Sequence, residues 1–210
     1  MMLACGNNTL TKQNTLKLTS SLSSVIHNNN EAIIHIIKIP RRIYNELDMN
    51  DSSWKQGRIE KGLVNSNVRS SKITFIPESS MTYNFCRHWV DVINADNFKF
   101  DLYPFFEKES IQYSHYDVGD HYSWHMDLID QFPPRKLSFS LMLNDDYEGG
   151  EFEIGHYSFG DHELKIDTIA AENKTGTLVV FPSALPHRVK PVTKGIRKSL
   201  VGWIPGPPLR

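Results

Sequence analysis

The stretch KLSFSLMLN, residues 136–144, places Leu137, Phe139, Leu141 and Leu143 at every second position. That is the period of a β-strand, whose successive side chains point to opposite faces. The chain around it has the same texture from about residue 99 onward. SIQYSHYD (110–117) and HYSWHMDLI (121–129) flank the turn VGD, and EGGEFEI (148–154), ELKID (163–167), GTLVVFP (176–182), HRVKPV (187–192) and KSLVGWI (198–204) follow. Short β-rich segments closed by Gly, Pro, Asp and Asn, with no helical run between them, predict paired antiparallel sheets. The expected fold is mainly β with supporting helices (α+β), built on a double-stranded β-helix (jelly roll) core over residues 99–206.

Upstream, residues 1–30 are rich in Asn, Ser, Thr and Lys and have little to bury, so they are expected to form a flexible polar leader or a loose edge strand. Residues 31–98 should supply N-terminal strands and a supporting helix. AIIHIIKI (32–39) and KITFIP (72–77) are rich in β-branched residues and predict strands, PRRIYNELDM (40–49) a short helix, and residues 50–72 a flap. In 78–98 Met81, Phe85, Trp89 and Ile93 recur every four residues and predict the apolar face of one helix.

The 210 residues suit a single domain, and a formal net charge of −1 provides no field to attract nucleic acid or an anionic membrane. Two distant cysteines, Cys5 and Cys86, build neither a disulfide framework nor a zinc site. MMLACGNNTL lacks the basic leader and apolar core of a signal peptide, and no run reaches membrane-helix length. A soluble, cytoplasmic protein is expected.

HYSWHMDLIDQ (121–131) holds His125 and Asp127 two apart, hence on one face of a strand, where both can reach one ion. The spacing alone leaves open a metal pair or two ordinary polar residues, and HYD at 115–117 offers a second pair, His115 and Asp117. The C-terminal stretch adds a third group: TLVVF runs into a loop presenting His187, and the chain returns with Arg197, a hairpin expected to bring imidazole and guanidinium to one cavity. Two histidines and one carboxylate, leaving coordination positions open, are what non-haem Fe(II) oxygenases use. A planar, always charged Arg suits an organic acid co-substrate.

With these residues in place, the chain resembles the Fe(II)- and 2-oxoglutarate-dependent oxygenases of the prolyl 4-hydroxylase-like branch, including PKHD-type hydroxylases. The family's order of a tyrosine, H-x-D, a G-G-E turn, and a distal His followed ten residues later by Arg or Lys is matched by Tyr116, HMD (125–127), YEGGEF (147–152) and HRVKPVTKGIR (187–197). The resemblance implies that His125, Asp127 and His187 ligate Fe(II), and that Arg197, helped by Tyr116, binds the distal carboxylate of 2-oxoglutarate. It implies O2 as oxidant, succinate and CO2 as by-products, and ascorbate as a reductant. It also implies hydroxylation of an unactivated C–H bond, first of a peptidyl proline or other amino-acid side chain. A free amino acid or small metabolite is the next substrate in line.

Tyr122 and Trp203 hold positions that in this branch line the substrate cleft, though as aromatics they are equally ordinary rim residues. Arg135, in the loop FPPR (132–135), is either a substrate contact or a solvated cation. Gly149 and Gly150 are expected to serve a turn. His115 and Asp117 fit the order worse, Asp117 standing at a turn edge. A nucleobase demethylase would need arginines where Thr193 and Ser199 stand. A non-catalytic jelly-roll binding or structural module is the remaining alternative, and the intact set of four residues argues against it.

Overall fold

A computed structural model describes residues 23–28, 31–39, 54–57, 65–103, 111–128, 133–155 and 173–208. The N-terminal part contains β1 (Ser23–Asn28), β2 (Glu31–Lys38), β3 (Lys55–Gln56), β4 (Arg69–Ser70) and β5 (Lys72–Phe75), then helix α1 (Met81–Ile93), which passes into a π turn at Asn94–Phe98. Strands β6 (Gln112–Tyr116), β7 (His121–His125), β8 (Arg135–Met142), β9 (Glu148–Gly149) and β10 (Phe152–Ile154) follow. The chain ends through β11 (Thr177–Pro182), β12 (His187–Val189), β13 (Val192–Lys194) and β14 (Arg197–Pro205).

A larger sheet has the order β1-β2-β11-β8-β14-β6-β5-β3 and a smaller one the order β10-β12-β7-β4. Every pairing among the described residues is antiparallel, as the short strands and tight turns require. This is the jelly roll that the alternating segments predict.

The period-two pattern of β8 has a less expected use. Leu137, Phe139 and Leu141 point away from the smaller sheet and pack with Leu178, Val180, Leu200 and Ile204 against Cys86, Trp89, Val90 and Ile93 of α1. Met142, on the opposite face of β8, joins Val179 and Phe181 of the larger sheet and Phe152, Ile154 and Val189 of the smaller one in a second core. Ser138 and Ser140 share that inner face and are as buried as the leucines. An outside helix thus covers the apolar face, and the polar face of β8 is turned inward, where a site needs it.

Helix α1 starts at Ser80, whose side chain accepts from Tyr83 N–H at 3.1 Å. Its buried face is Thr82, Tyr83, Cys86, Trp89, Val90 and Ile93, while Met81 is 66% exposed and Phe85 only partly covered. The expected Met81-Phe85-Trp89-Ile93 face is therefore corrected: steps of four residues overshoot a 3.6-residue turn by about 40° each, so a strict four-residue series drifts off the core side. The helix stops where Lys99 adopts a left-handed conformation (φ 55°) and the Asn94 side chain bonds both N–H and C=O of Phe100.

The last part of the polar leader, Ser23–Asn28, is an edge strand paired with β2. The expected flap at 50–72 contains β3 and β4, and is corrected to that extent. Residues 1–22, the helix expected at 40–49 and the ELKID strand lie outside the described residues. The FPPR loop is described from Pro133, and β8 begins at Arg135. No helix among the described residues is long and apolar enough to cross a membrane.

Candidate metal centre and co-substrate cleft

The antiparallel pairing of β7 with β12 sets His125 directly opposite His187. Cross-strand partners share a face, so the imidazoles meet, their centroids 4.1 Å apart. Asp127, just beyond β7, turns its carboxylate between them: Oδ2 lies 3.2 Å from His187 Nε2 and Oδ1 3.7 Å from His125 Nε2. The candidate ligand atoms of the three residues all lie within 4.8 Å of one another, and no other such cluster occurs among the described residues.

The orientation of both rings is fixed from behind. His125 Nδ1 lies 2.9 Å from Ser123 O and His187 Nδ1 2.9 Å from Leu185 O. A carbonyl only accepts, so in each neutral ring Nδ1 carries the proton and Nε2 presents a lone pair to the cluster. Burial, and then His187, pushes the pKa of His125 down to about 3, which keeps it in that neutral form. Burial would raise the pKa of Asp127, yet His187, His125 and the Ser138 hydroxyl hold it well below the usual carboxylate range. An ionised carboxylate 5% exposed, facing the Nε2 atoms of two imidazoles, is the donor set of a divalent cation of Fe(II) type.

Arg197 enters the same cleft from the larger sheet. It stands opposite Tyr116 in the β14–β6 pairing, with its guanidinium carbon 5.4 Å from the Tyr116 ring centre. Only 1% of Arg197 is exposed; Nη1 donates to Ser199 Oγ at 2.9 Å, and Nε and Nη2 have no hydrogen-bond partner among the described residues. A fully buried cation with two unused donors fits a carboxylate that arrives with a ligand. The hairpin expected to join His187 and Arg197 is corrected. Strand β12 belongs to the smaller sheet and β14 to the larger, with β13 carrying the chain across.

The cleft is lined by Tyr116, Tyr122, His125, Asp127, His187, Arg197 and Trp203 together with buried serines and phenylalanines. Tyr122 stacks on the His125 ring at 3.6 Å. Arg135 lies outside this lining and stacks on Trp203 at 4.1 Å. Gly150, in the G-G-E turn, has φ +63°, and a Cβ there would meet Arg197 Cδ at 3.0 Å, so the turn needs glycine beside the guanidinium. The rival pair is elsewhere: His115 bonds Asp117 on the strand side away from the cleft, Asp117 is claimed by Lys72 at 2.7 Å, and the Trp54 ring packs on His115.

Three neighbours were invisible to sequence reasoning. Arg69, 4% exposed, lines the cleft from β4 and lies over the Tyr122 ring at 4.7 Å. The Tyr147 phenol is buried facing the guanidinium of Arg197 without closing a well-aligned hydrogen bond. Ser138 donates to Asp127. Ser138 stands on the polar side of the 136–144 alternation, which does not single it out from Ser140, and nothing local marks the other two.

The 2OG-Fe(II) oxygenase superfamily model matches residues 111–205, the span that carries all of these groups except Arg69. A PKHD-type hydroxylase of Aliarcobacter butzleri (strain RM4018) is 31% identical over 173 residues, covering 74% of this chain and 69% of its own. One of Synechococcus sp. (strain CC9902) is 28% identical over 170 residues, covering 78% and 71%. The fold matches a Pseudomonas putida prolyl-4-hydroxylase with a TM-score of 0.53 at 22% identity (80% of this chain, 82% of the other). It also matches a Trichoplax adhaerens prolyl hydroxylase in complex with a hypoxia inducible factor peptide fragment, with a TM-score of 0.52 at 16% identity (73% and 70%).

The chain belongs to the 2OG-Fe(II) oxygenase superfamily, and so to the dioxygenase class of oxidoreductases. Within that superfamily it falls among the PKHD-type hydroxylases.

Proposed function

We propose that this chain holds Fe(II) with His125, Asp127 and His187, anchors the distal carboxylate of 2-oxoglutarate on Arg197 beside Tyr116, and hydroxylates a peptidyl proline or another amino-acid side chain. The observation that carries this reading is the buried guanidinium of Arg197, two of its donors unused, in the same cleft as the His-Asp-His cluster. Both halves of the site fit what the family requires, a divalent cation and a dicarboxylate. Bound together with O2, iron and 2-oxoglutarate supply the oxidising power, the acid leaving as succinate and CO2 while the substrate gains a hydroxyl.

The residues of the chain do the holding and the shielding. Asp127 stays ionised and His125 neutral across the physiological range, so neither of these two ligands has to gain or lose a proton before metal binds. Arg197 fixes one end of the co-substrate, which sets the distance of its other end from the cluster. Tyr122 and Trp203 form aromatic walls that exclude water and suit a flat, apolar ring or side chain. The peptide complex of the Trichoplax neighbour supports a peptidyl substrate ahead of a free amino acid. We further infer a reducing, cytoplasmic setting, in keeping with the free buried thiol of Cys86, and a benefit from ascorbate in keeping iron reduced.

The test is anaerobic titration with Fe(II) and 2-oxoglutarate, followed by the visible charge-transfer band of the chelate, in wild type and Asp127→Ala. A band in the wild type alone is expected; succinate release with proline-containing peptides and with free proline then separates the substrate classes. A band in neither protein would sink the catalytic assignment in favour of a non-catalytic binding module.

A further inference from the structure

The Asp127 carboxylate is tied from behind. Ser138 Oγ donates to Asp127 Oδ2 at 2.8 Å and lies 2.9 Å from Ser183 Oγ, and both serines are completely buried. Ser183 uses its backbone for the same purpose. Its carbonyl accepts from the N–H groups of Asp127 (3.0 Å) and Leu128 (2.9 Å), and its own N–H donates to Lys136 O (3.0 Å). It also opens the SALPH turn that ends at His187.

The polar groups of Ser183 are thus spent on the segment just after β7, which holds Asp127, and on β8. Asp127 and His187 come from strands about sixty residues apart in sequence, so β-pairing must be supplemented where the chain leaves β7. A hydroxyl this deeply buried is costly unless bonded, and at 138 and 183 packing alone would be served by alanine. A carboxylate free to rotate presents changing geometry to an ion, whereas outer donors that fix a ligand strengthen metal affinity.

We propose that Ser138 and Ser183 are positioning residues. Their hydroxyl pair locks the Asp127 carboxylate against the turn that presents His187, so that the three donors are pre-set for a divalent cation. This rests on the metal-centre reading above.

The test compares wild type, Ser138→Ala, Ser138→Thr and Ser183→Ala by Mn(II) titration, with free ion read by electron paramagnetic resonance, and by the melting temperature of the metal-free proteins. Ser138→Ala is expected to raise the Mn(II) Kd about tenfold or more with little change in metal-free melting, the loss typical of outer-shell substitutions. Ser138→Thr keeps the hydroxyl and should recover most of the affinity. Ser183→Ala should cost less than Ser138→Ala, because the backbone carbonyl still holds Asp127.

Equal Mn(II) affinity in Ser138→Ala and wild type would overturn the proposal, whatever the melting temperatures, and leave the serines as fillers. If Ser138→Ala does not fold, Ser183→Ala carries the comparison, and unchanged affinity there overturns it equally. A wild type that binds no Mn(II) removes the metal-centre reading and the proposal with it; a wild type that binds alongside an equally tight variant removes the proposal alone.

Discussion

Arg197 is the residue at which stability and function pull in opposite directions. Its guanidinium is buried with only Ser199 bonded to it among the described residues, a state that costs free energy until an anion arrives. Arg197→Met, close in length and apolar, should therefore stabilise the ligand-free protein by about 1–3 kcal/mol. The same change should raise the 2-oxoglutarate concentration needed for binding at least about 30-fold while leaving metal affinity near wild type, since a buried charge-assisted pair is worth about 2 kcal/mol or more. Thermal unfolding and isothermal titration check the two halves; a destabilised variant with normal co-substrate affinity would mean that the guanidinium is structural. Arg197, His125, Asp127 and His187 stand out in the sequence through the family resemblance, which joins two short spacings that alone leave their use open, and the four do meet in one cleft. Arg69 and Tyr147 do not, since each is placed by pairing between distant strands: β4 with β7 for Arg69, and β9 with β13 for the turn that sets Tyr147 against Arg197.

At the scale of elements, β8 and α1 show where periodicity informs and where it misleads. The alternation of KLSFSLMLN identifies a strand correctly but is silent on which face meets water, and here neither does: leucines face the helix and serines face the cleft. For α1 the sequence marked the helix but spread its expected face over about a third of a turn, because Met81 at one end and Ile93 at the other were assigned to one stripe. The difference is measurable. Ile93→Ala, at a site 1% exposed in the core beneath the larger sheet, should cost about 2–5 kcal/mol, whereas Met81→Ala, at an exposed first-turn position, should change stability by less than about 0.5 kcal/mol. Denaturant unfolding of the two variants decides it, and comparable losses would restore the four-residue stripe.

For the whole molecule, what matters is that the two halves of the proposed site belong to different sheets. His125 and His187 pair within the smaller sheet, while Arg197 and Tyr116 pair within the larger one. A dicarboxylate held at one end by Arg197 and at the other by the metal would span the inter-sheet core of Phe152, Phe181 and Val189 and fasten sheet to sheet. Metal alone ties only β7, β12 and the Asp127 turn. 2-Oxoglutarate without metal meets Arg197 but has nothing to hold its other end, so each ligand should bind better in the presence of the other. Saturating a site at about a hundred times its Kd stabilises a protein by about 2.7 kcal/mol, which for a chain of this size is a melting shift of roughly 5–10 °C. Mn(II) with 2-oxoglutarate should give a shift larger than the sum of the separate shifts, and amide exchange should slow in β14 and β6 as well as in β7 and β12. Additive shifts, or protection confined to the smaller sheet, would show that the acid does not bridge, and Arg197 would then need another partner.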